Sequence, residues 1–191
     1  MSIDNTFQQR LVVVTGAAGN LGRSLCRQLL QSGAFVGAID LHQQALDELY
    51  KSLPSQYQSA FAAAAVDIRD GQAVQAVMDE FRRVFSIANG VFALINNAAI
   101  THIAAHEAQP TSGEVERRVM DVNFMGTVHC TYAVRDDIRR LGGVVVAISS
   151  VAGFAPLWGR TAYAASKYAL HGYFDSLRAE WRNTSAHVLI A

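Results

Sequence analysis

Tyr163 and Lys167 stand four residues apart in the run TAYAASKYALHG. On a helix, side chains at i and i+4 lie one above the other, so a phenol and an ammonium at this spacing share a face. An unassisted tyrosine titrates at roughly pH 10, and a cation one turn away favours its phenolate, bringing the group closer to use as acid and base at neutral pH. Ser150 precedes Tyr163 by thirteen residues, at the end of GGVVVAISS, where a hydroxyl could hold a substrate oxygen. A surface helix that merely carries both residues, and a serine that merely starts a turn, are the plainer alternatives.

A second cluster of chemistry lies near the amino end. In LVVVTGAAGNLGRSLCRQLL, a strand-like run, a glycine-rich turn and a helix-like run follow in order. Gly16, Gly19 and Gly22 let backbone amides approach a pyrophosphate at the amino end of a helix, where the helix dipole also favours negative charge. Asn20 and Leu21 belong to the same turn. Eighteen residues beyond Gly22, the next apolar run ends in Asp40, placed to accept hydrogen bonds from an adenosine ribose. A carboxylate there repels a 2′-phosphate, so the expected cofactor is NAD, with NADP less favoured. Asp40 could instead cap the helix predicted ahead of it.

These groups need a scaffold that brings strand ends together. Valine-, isoleucine- and alanine-rich runs (LVVVTG, AFVGAID, FAAAAVD, GVFALINN, GGVVVAISS, HVLIA) alternate with helix-length segments at about 21–31, 44–53, 72–88, 114–141 and 162–183. Continuous apolar strands separated by helices indicate a parallel sheet covered on both faces. The expectation is an α/β, doubly wound, three-layer domain spanning residues 1–191. HVLIA reads as a strand at which the sequence stops, without the loop that would ordinarily carry ligand contacts at a strand's carboxyl end. A loop carrying such ligand contacts is therefore expected to be missing.

Four separated signatures now stand in order: TGAAGNLG, NNAA at Asn96–Ala99, Ser150, and Tyr163 with Lys167 as Y-x-x-x-K. In these the chain resembles the short-chain dehydrogenase/reductase family over essentially its whole length. The resemblance implies a Rossmann-type fold and a nicotinamide-dependent oxidation or reduction of an alcohol or carbonyl. It implies Tyr163 as general acid and base, Lys167 as the residue that lowers the tyrosine pKa and holds the nicotinamide ribose, and Ser150 as hydrogen-bond partner of the substrate oxygen. Asn123, in DVNFMGT, matches the family's helix asparagine that holds a water in a proton relay; it is a poor helix former, so a specific reason for it is expected. Asn96 would pin neighbouring strands, Asn97 and Ala98 would line the cofactor, and Asp67 and Ile68 would flank the adenine. Asp67 could equally cap the next helix. Where members of this length usually carry a glycine, Asn20 stands, a residue that tolerates left-handed backbone. A dimer or tetramer through the 114–141 and 162–183 helices is the expected assembly.

Composition excludes several other classes. Sixteen basic residues balance sixteen acidic ones without a dense run of either sign, so no nucleic-acid or anionic-membrane partner is expected. Cys26 and Cys130 are too few for a disulfide framework, which points to a reducing, cytoplasmic setting. His102 and His106 lie four apart, but no third ligand accompanies them, so no metal site is expected. Trp158, with Phe154, Pro156 and Leu157, could wall an apolar substrate pocket or equally pack in a core or subunit contact. The rival to an oxidoreductase is a non-catalytic NAD-binding sensor or assembly protein.

Overall fold

The computed structural model describes residues 5–109 and 111–191. Six strands form one all-parallel sheet: β1 (Leu11–Thr15), β2 (Phe35–Asp40), β3 (Phe61–Ala65), β4 (Val91–Asn96), β5 (Val144–Ala147) and β6 (His187–Ile190). They lie in the order β3-β2-β1-β4-β5-β6, so the winding reverses between β1 and β4. Ligands bind at such a reversal, beyond the carboxyl ends of the strands. The helices are α1 (Asn20–Gln31), α2 (Gln43–Lys51), the single turn α3 (Ser55–Gln58), α4 (Gly71–Val84), α5 (Glu114–Met120), α6 (Thr127–Leu141) and α7 (Thr161–Glu180).

Side chains alternate across a strand, and here both faces are apolar. Leu11 and Val13 of β1 join Met78 and Phe81 of α4, Ile138 of α6 and Phe174 of α7 in one core. Val12 and Val14 join Leu29 and Leu30 of α1 and Leu46 and Leu49 of α2 in the other. The expected three-layer architecture is therefore present. Cys26 and Cys130 are buried in separate cores, each thiol pushed up to about 12 by burial.

The helix expected at 114–141 is interrupted. Residues Asp121–Gly126 form a π-helical turn between α5 and α6, with Asn123 buried inside it. Such one-turn widenings slip the hydrogen-bond ladder by a residue and cluster at functional sites. The helix expected at 72–88 ends at Val84, and a 3-10 turn occupies Ser86–Ala88.

The glycine turn is packed too tightly for side chains at Gly16 and Gly22. Gly16 has φ +63°, and a methyl on Gly22 would lie 2.2 Å from the Gly16 carbonyl oxygen and 2.7 Å from the Ala17 Cα. Gly22 thus sets how closely α1 crosses the end of β1. Because both neighbours are backbone, Gly22→Ala is expected to destabilise the fold by about 3 kcal/mol. A thermal melt should show this as a drop of several degrees, and an unchanged midpoint would mean that the turn yields.

Candidate active site

The carboxyl ends of β1, β2, β3 and β4 enclose a cleft of about 460 Å³ lined by Gly16, Gly19, Asn20, Leu21, Asp40, Asp67, Ile68, Asn97 and Ala98, among others. Nine of the expected cofactor residues are thus brought together. Gly22 lies beneath the turn, buried in α1, while Tyr163 and Lys167 stand on α7, outside this cleft's lining.

The turn suits an anion. Gly19 occupies the N-cap of α1 in extended backbone and supplies no side-chain cap, so the first-turn amides of α1 have no side-chain acceptor. A methyl on Gly19 would meet only the Gly16 carbonyl, at 3.4 Å, so this side of the turn is open. These features fit a dinucleotide's pyrophosphate. Asn20 is the first residue of α1 and is not in the left-handed region, so the tolerance expected of it is not used.

Asp40 is not a helix cap. Its Oδ2 accepts from the Ala18 amide at 2.9 Å and its Oδ1 from the Leu41 amide at 2.8 Å, while α2 begins only at Gln43, after His42 at its N-cap. The carboxylate therefore ties the glycine turn to the end of β2 and faces the cleft. Asp67 is not a cap either: Asp70 caps α4, accepting from the Gln72 and Ala73 amides. Asp67 is bound instead by the guanidinium of Arg69, whose hydrogen bonds and charge hold its carboxyl below the usual range.

The strand-pinning role expected of Asn96 belongs to Asn97. Asn97 Nδ2 donates to the carbonyls of Thr15 and Gly16 at 3.1 and 3.0 Å, joining the end of β4 to the end of β1. Asn96 is buried, with a long contact of 3.4 Å to Thr131 Oγ1 and no partner for its Oδ1 among the described residues.

Around α7, Lys167 is only 3% exposed. Its Nζ donates to the Ile148 carbonyl at 2.7 Å and lies 5.6 Å from the centre of the Tyr163 ring. Burial pulls its pKa down from 10.5 to about 8, because desolvation penalises the charged form. Ser150 begins a 3-10 turn at Val151–Gly153, with its Oγ accepting from the Ala152 amide at 3.2 Å. That turn packs against α7.

Asn123 is a brace. Its Oδ1 accepts from the Ile100 amide at 2.8 Å, and its Nδ2 donates to the Ile100 carbonyl and to Ser166 Oγ, both at 2.9 Å. Ser166 in turn donates to the Tyr163 carbonyl at 2.7 Å. Three of the amide's four hydrogen-bonding positions are committed to protein. Ser166, fully buried and absent from the expected site, thus links the π turn to the tyrosine. Its place three residues after Tyr163, on the same helical face, was the available signal.

Trp158 is 81% exposed and Phe154 70%, so neither packs in this chain's core. His102 and His106 are exposed, and no cluster of three or more His, Cys, Asp or Glu side chains that could hold a metal ion occurs among the described residues. No described helix is long and apolar enough to cross a membrane.

The family profile of the short chain dehydrogenases matches residues 10–191. The chain belongs to this family. It is 38% identical over 176 residues to dehydrogenase/reductase SDR family member 7B of Bos taurus, which covers 89% of this chain and 53% of that protein. It is 31% identical over 182 residues to member 7C of Homo sapiens, covering 92% and 57%. The chain therefore spans a little over half the length of these curated relatives. Among solved structures, a short-chain dehydrogenase from Streptomyces avermitilis superimposes with a TM-score of 0.83 at 28% identity, over 95% of this chain and 64% of that one. An NAD+-bound xylitol dehydrogenase superimposes with a TM-score of 0.84 at 23% identity, covering 95% and 68%, a likeness of fold. Short-chain dehydrogenases are oxidoreductases that use NAD(P) nucleotides, and the cleft described above fits such a nucleotide.

Proposed function

We propose that this chain carries the nucleotide site and the proton-transfer residues of an NAD-dependent oxidoreductase that interconverts an alcohol and a carbonyl compound. The observation that carries the reading is Lys167, a buried ammonium held beside Tyr163 although burial disfavours its charge. A protein that only senses a nucleotide has no need of a buried cation next to a phenol.

NAD supplies a nicotinamide carbon that takes or gives hydride. The residues of this chain do the rest. The first-turn amides of α1 would hold the pyrophosphate, and Asp40 would accept from ribose hydroxyls while repelling a 2′-phosphate. Asp67 and Ile68, which line the cleft, would flank adenine. Arg69, which also lines the cleft, is occupied by Asp67, which weakens its claim on a 2′-phosphate and supports NAD over NADP. Ser150 donates its hydroxyl hydrogen to the substrate oxygen while its own oxygen accepts from Ala152. Tyr163 removes the proton from that oxygen in oxidation and returns it in reduction. Lys167 holds positive charge beside the ring and would bind a ribose hydroxyl of the nucleotide, and Asn123 would support the relay that returns the proton to solvent.

The partner is a small alcohol or carbonyl molecule. Tyr132 and Tyr168 are 56% and 51% exposed, and an apolar groove lined by Phe124, Tyr132, Tyr173 and Leu177 runs between α6 and α7. These faces fit the subunit contacts of a homodimer or homotetramer. Two free, buried cysteines fit a cytoplasmic setting. The reading is tested by following NADH absorbance with purified protein across aldehydes and ketones. Consumption that depends on both NADH and one carbonyl class supports it, and NADH binding without consumption on any of them would favour a sensor.

A further inference from the structure

Helix α7 meets the end of β5 through more than the lysine. Ser149 Oγ and His171 Nε2 lie 2.8 Å apart. His171 stands four residues beyond Lys167 and eight beyond Tyr163, on the same side of α7. Lys167 grips the Ile148 carbonyl and His171 grips the Ser149 hydroxyl, so two consecutive residues immediately before Ser150 are latched to the helix that carries Tyr163.

The turn that follows rests on this second latch. A methyl on Gly153 would lie 2.7 Å from His171 Nε2 and 2.8 Å from Ser149 Oγ, so the turn's last residue sits directly against the bonded pair. The Gly153 amide donates to the Ser150 carbonyl at 2.8 Å, and the Ala152 amide donates to Ser150 Oγ. The direction of the Ser150 hydroxyl is therefore set by a turn whose floor is the Ser149–His171 pair. The bond survives either tautomer of a neutral imidazole: the hydroxyl donates to a bare Nε2, or Nε2–H donates to Oγ.

We propose that His171 is a positioning residue of this active site, fixing Ser150 against Tyr163 through its hydrogen bond to Ser149. The inference rests on the oxidoreductase reading above. His171 is absent from the lining of the nucleotide cleft.

The test uses the full chain, NADH and the carbonyl compound turned over fastest by the wild type, with kcat, KM and melting midpoint read for each variant. His171→Leu should lower kcat by about 10- to 100-fold while the KM for NADH stays within about twofold, because only the serine is displaced. His171→Gln, whose amide can reach Ser149, should recover most of that loss. Ser149→Ala should reproduce it, and combining it with His171→Leu should add little. In a Ser150→Ala background neither change should reduce the remaining turnover further. Should His171→Leu fail to fold, Ser149→Ala and His171→Gln decide by the same readouts. An unchanged kcat, or an equal loss whether or not Ser150 is present, would overturn the assignment. A wild type inactive on every carbonyl compound would overturn the oxidoreductase reading and this inference with it, whereas an active wild type matched by its His171→Leu variant overturns this inference alone.

Discussion

Tyr163→Phe is expected to lower kcat by about a thousandfold or more while leaving NADH affinity within about twofold of wild type. The substitution removes one oxygen from a half-buried ring and leaves its packing in place. Without that oxygen no group is positioned to exchange the proton, and Ser150 and Lys167 have nothing to act through. Steady-state kinetics on the best carbonyl substrate, with NADH binding followed by fluorescence, checks both halves. Retained turnover would remove the tyrosine from the mechanism, and lost NADH binding would show that the ring is needed to build the cleft.

Lys167→Met should produce two opposite effects. Turnover should fall by about a hundredfold or more, because the cation beside the phenol is gone. Stability at pH 7 should rise by about 2 kcal/mol. The lysine is almost fully buried, with a folded pKa of about 8 against an ordinary 10.5. Below pH 8 both folded and unfolded chains carry the proton, and the full desolvation cost falls on the fold. Between about 8 and 10.5 the unfolded chain still binds the proton and the folded chain does not, so wild-type stability rises with pH. The shift corresponds to roughly 3 kcal/mol, reduced by the orphaned Ile148 carbonyl that methionine leaves behind. The advantage of the methionine variant should therefore shrink as pH climbs through that window. Urea denaturation of both proteins at pH 7 and pH 10 measures it. A methionine variant less stable than wild type at pH 7 would mean that the hydrogen bond to Ile148 outweighs burial of the charge.

The sheet was legible because its strands are apolar on both faces, as Leu11 to Val14 show, and because the glycine turn names its own place between β1 and α1. Tyr163, Lys167 and Ser150 were legible by spacing, since a helix face and a strand end each place a side chain without reference to the rest of the fold. What escaped depends on distant partners. The π turn at Asp121–Gly126 lies in a segment whose composition reads as continuous helix, and Asn123 within it bonds to Ile100 and Ser166, 23 and 43 residues away. The pinning role passes from Asn96 to Asn97 because β4 ends at Asn96, whose side chain turns onto one face toward Thr131, whereas Asn97, just past the strand, reaches across to the end of β1. Asp67 could stand as a cap only until the start of α4 was located at Gly71, which gives that place to Asp70.

A calorimetric titration of the wild-type chain with NADH and, separately, with NADPH tests the nucleotide site without recourse to turnover. The cleft closed by Gly16, Asn97 and Asp40 predicts one NADH per chain, bound at least about tenfold more tightly than NADPH because Asp40 opposes a 2′-phosphate. Binding of neither nucleotide, or equal binding of both, would contradict it.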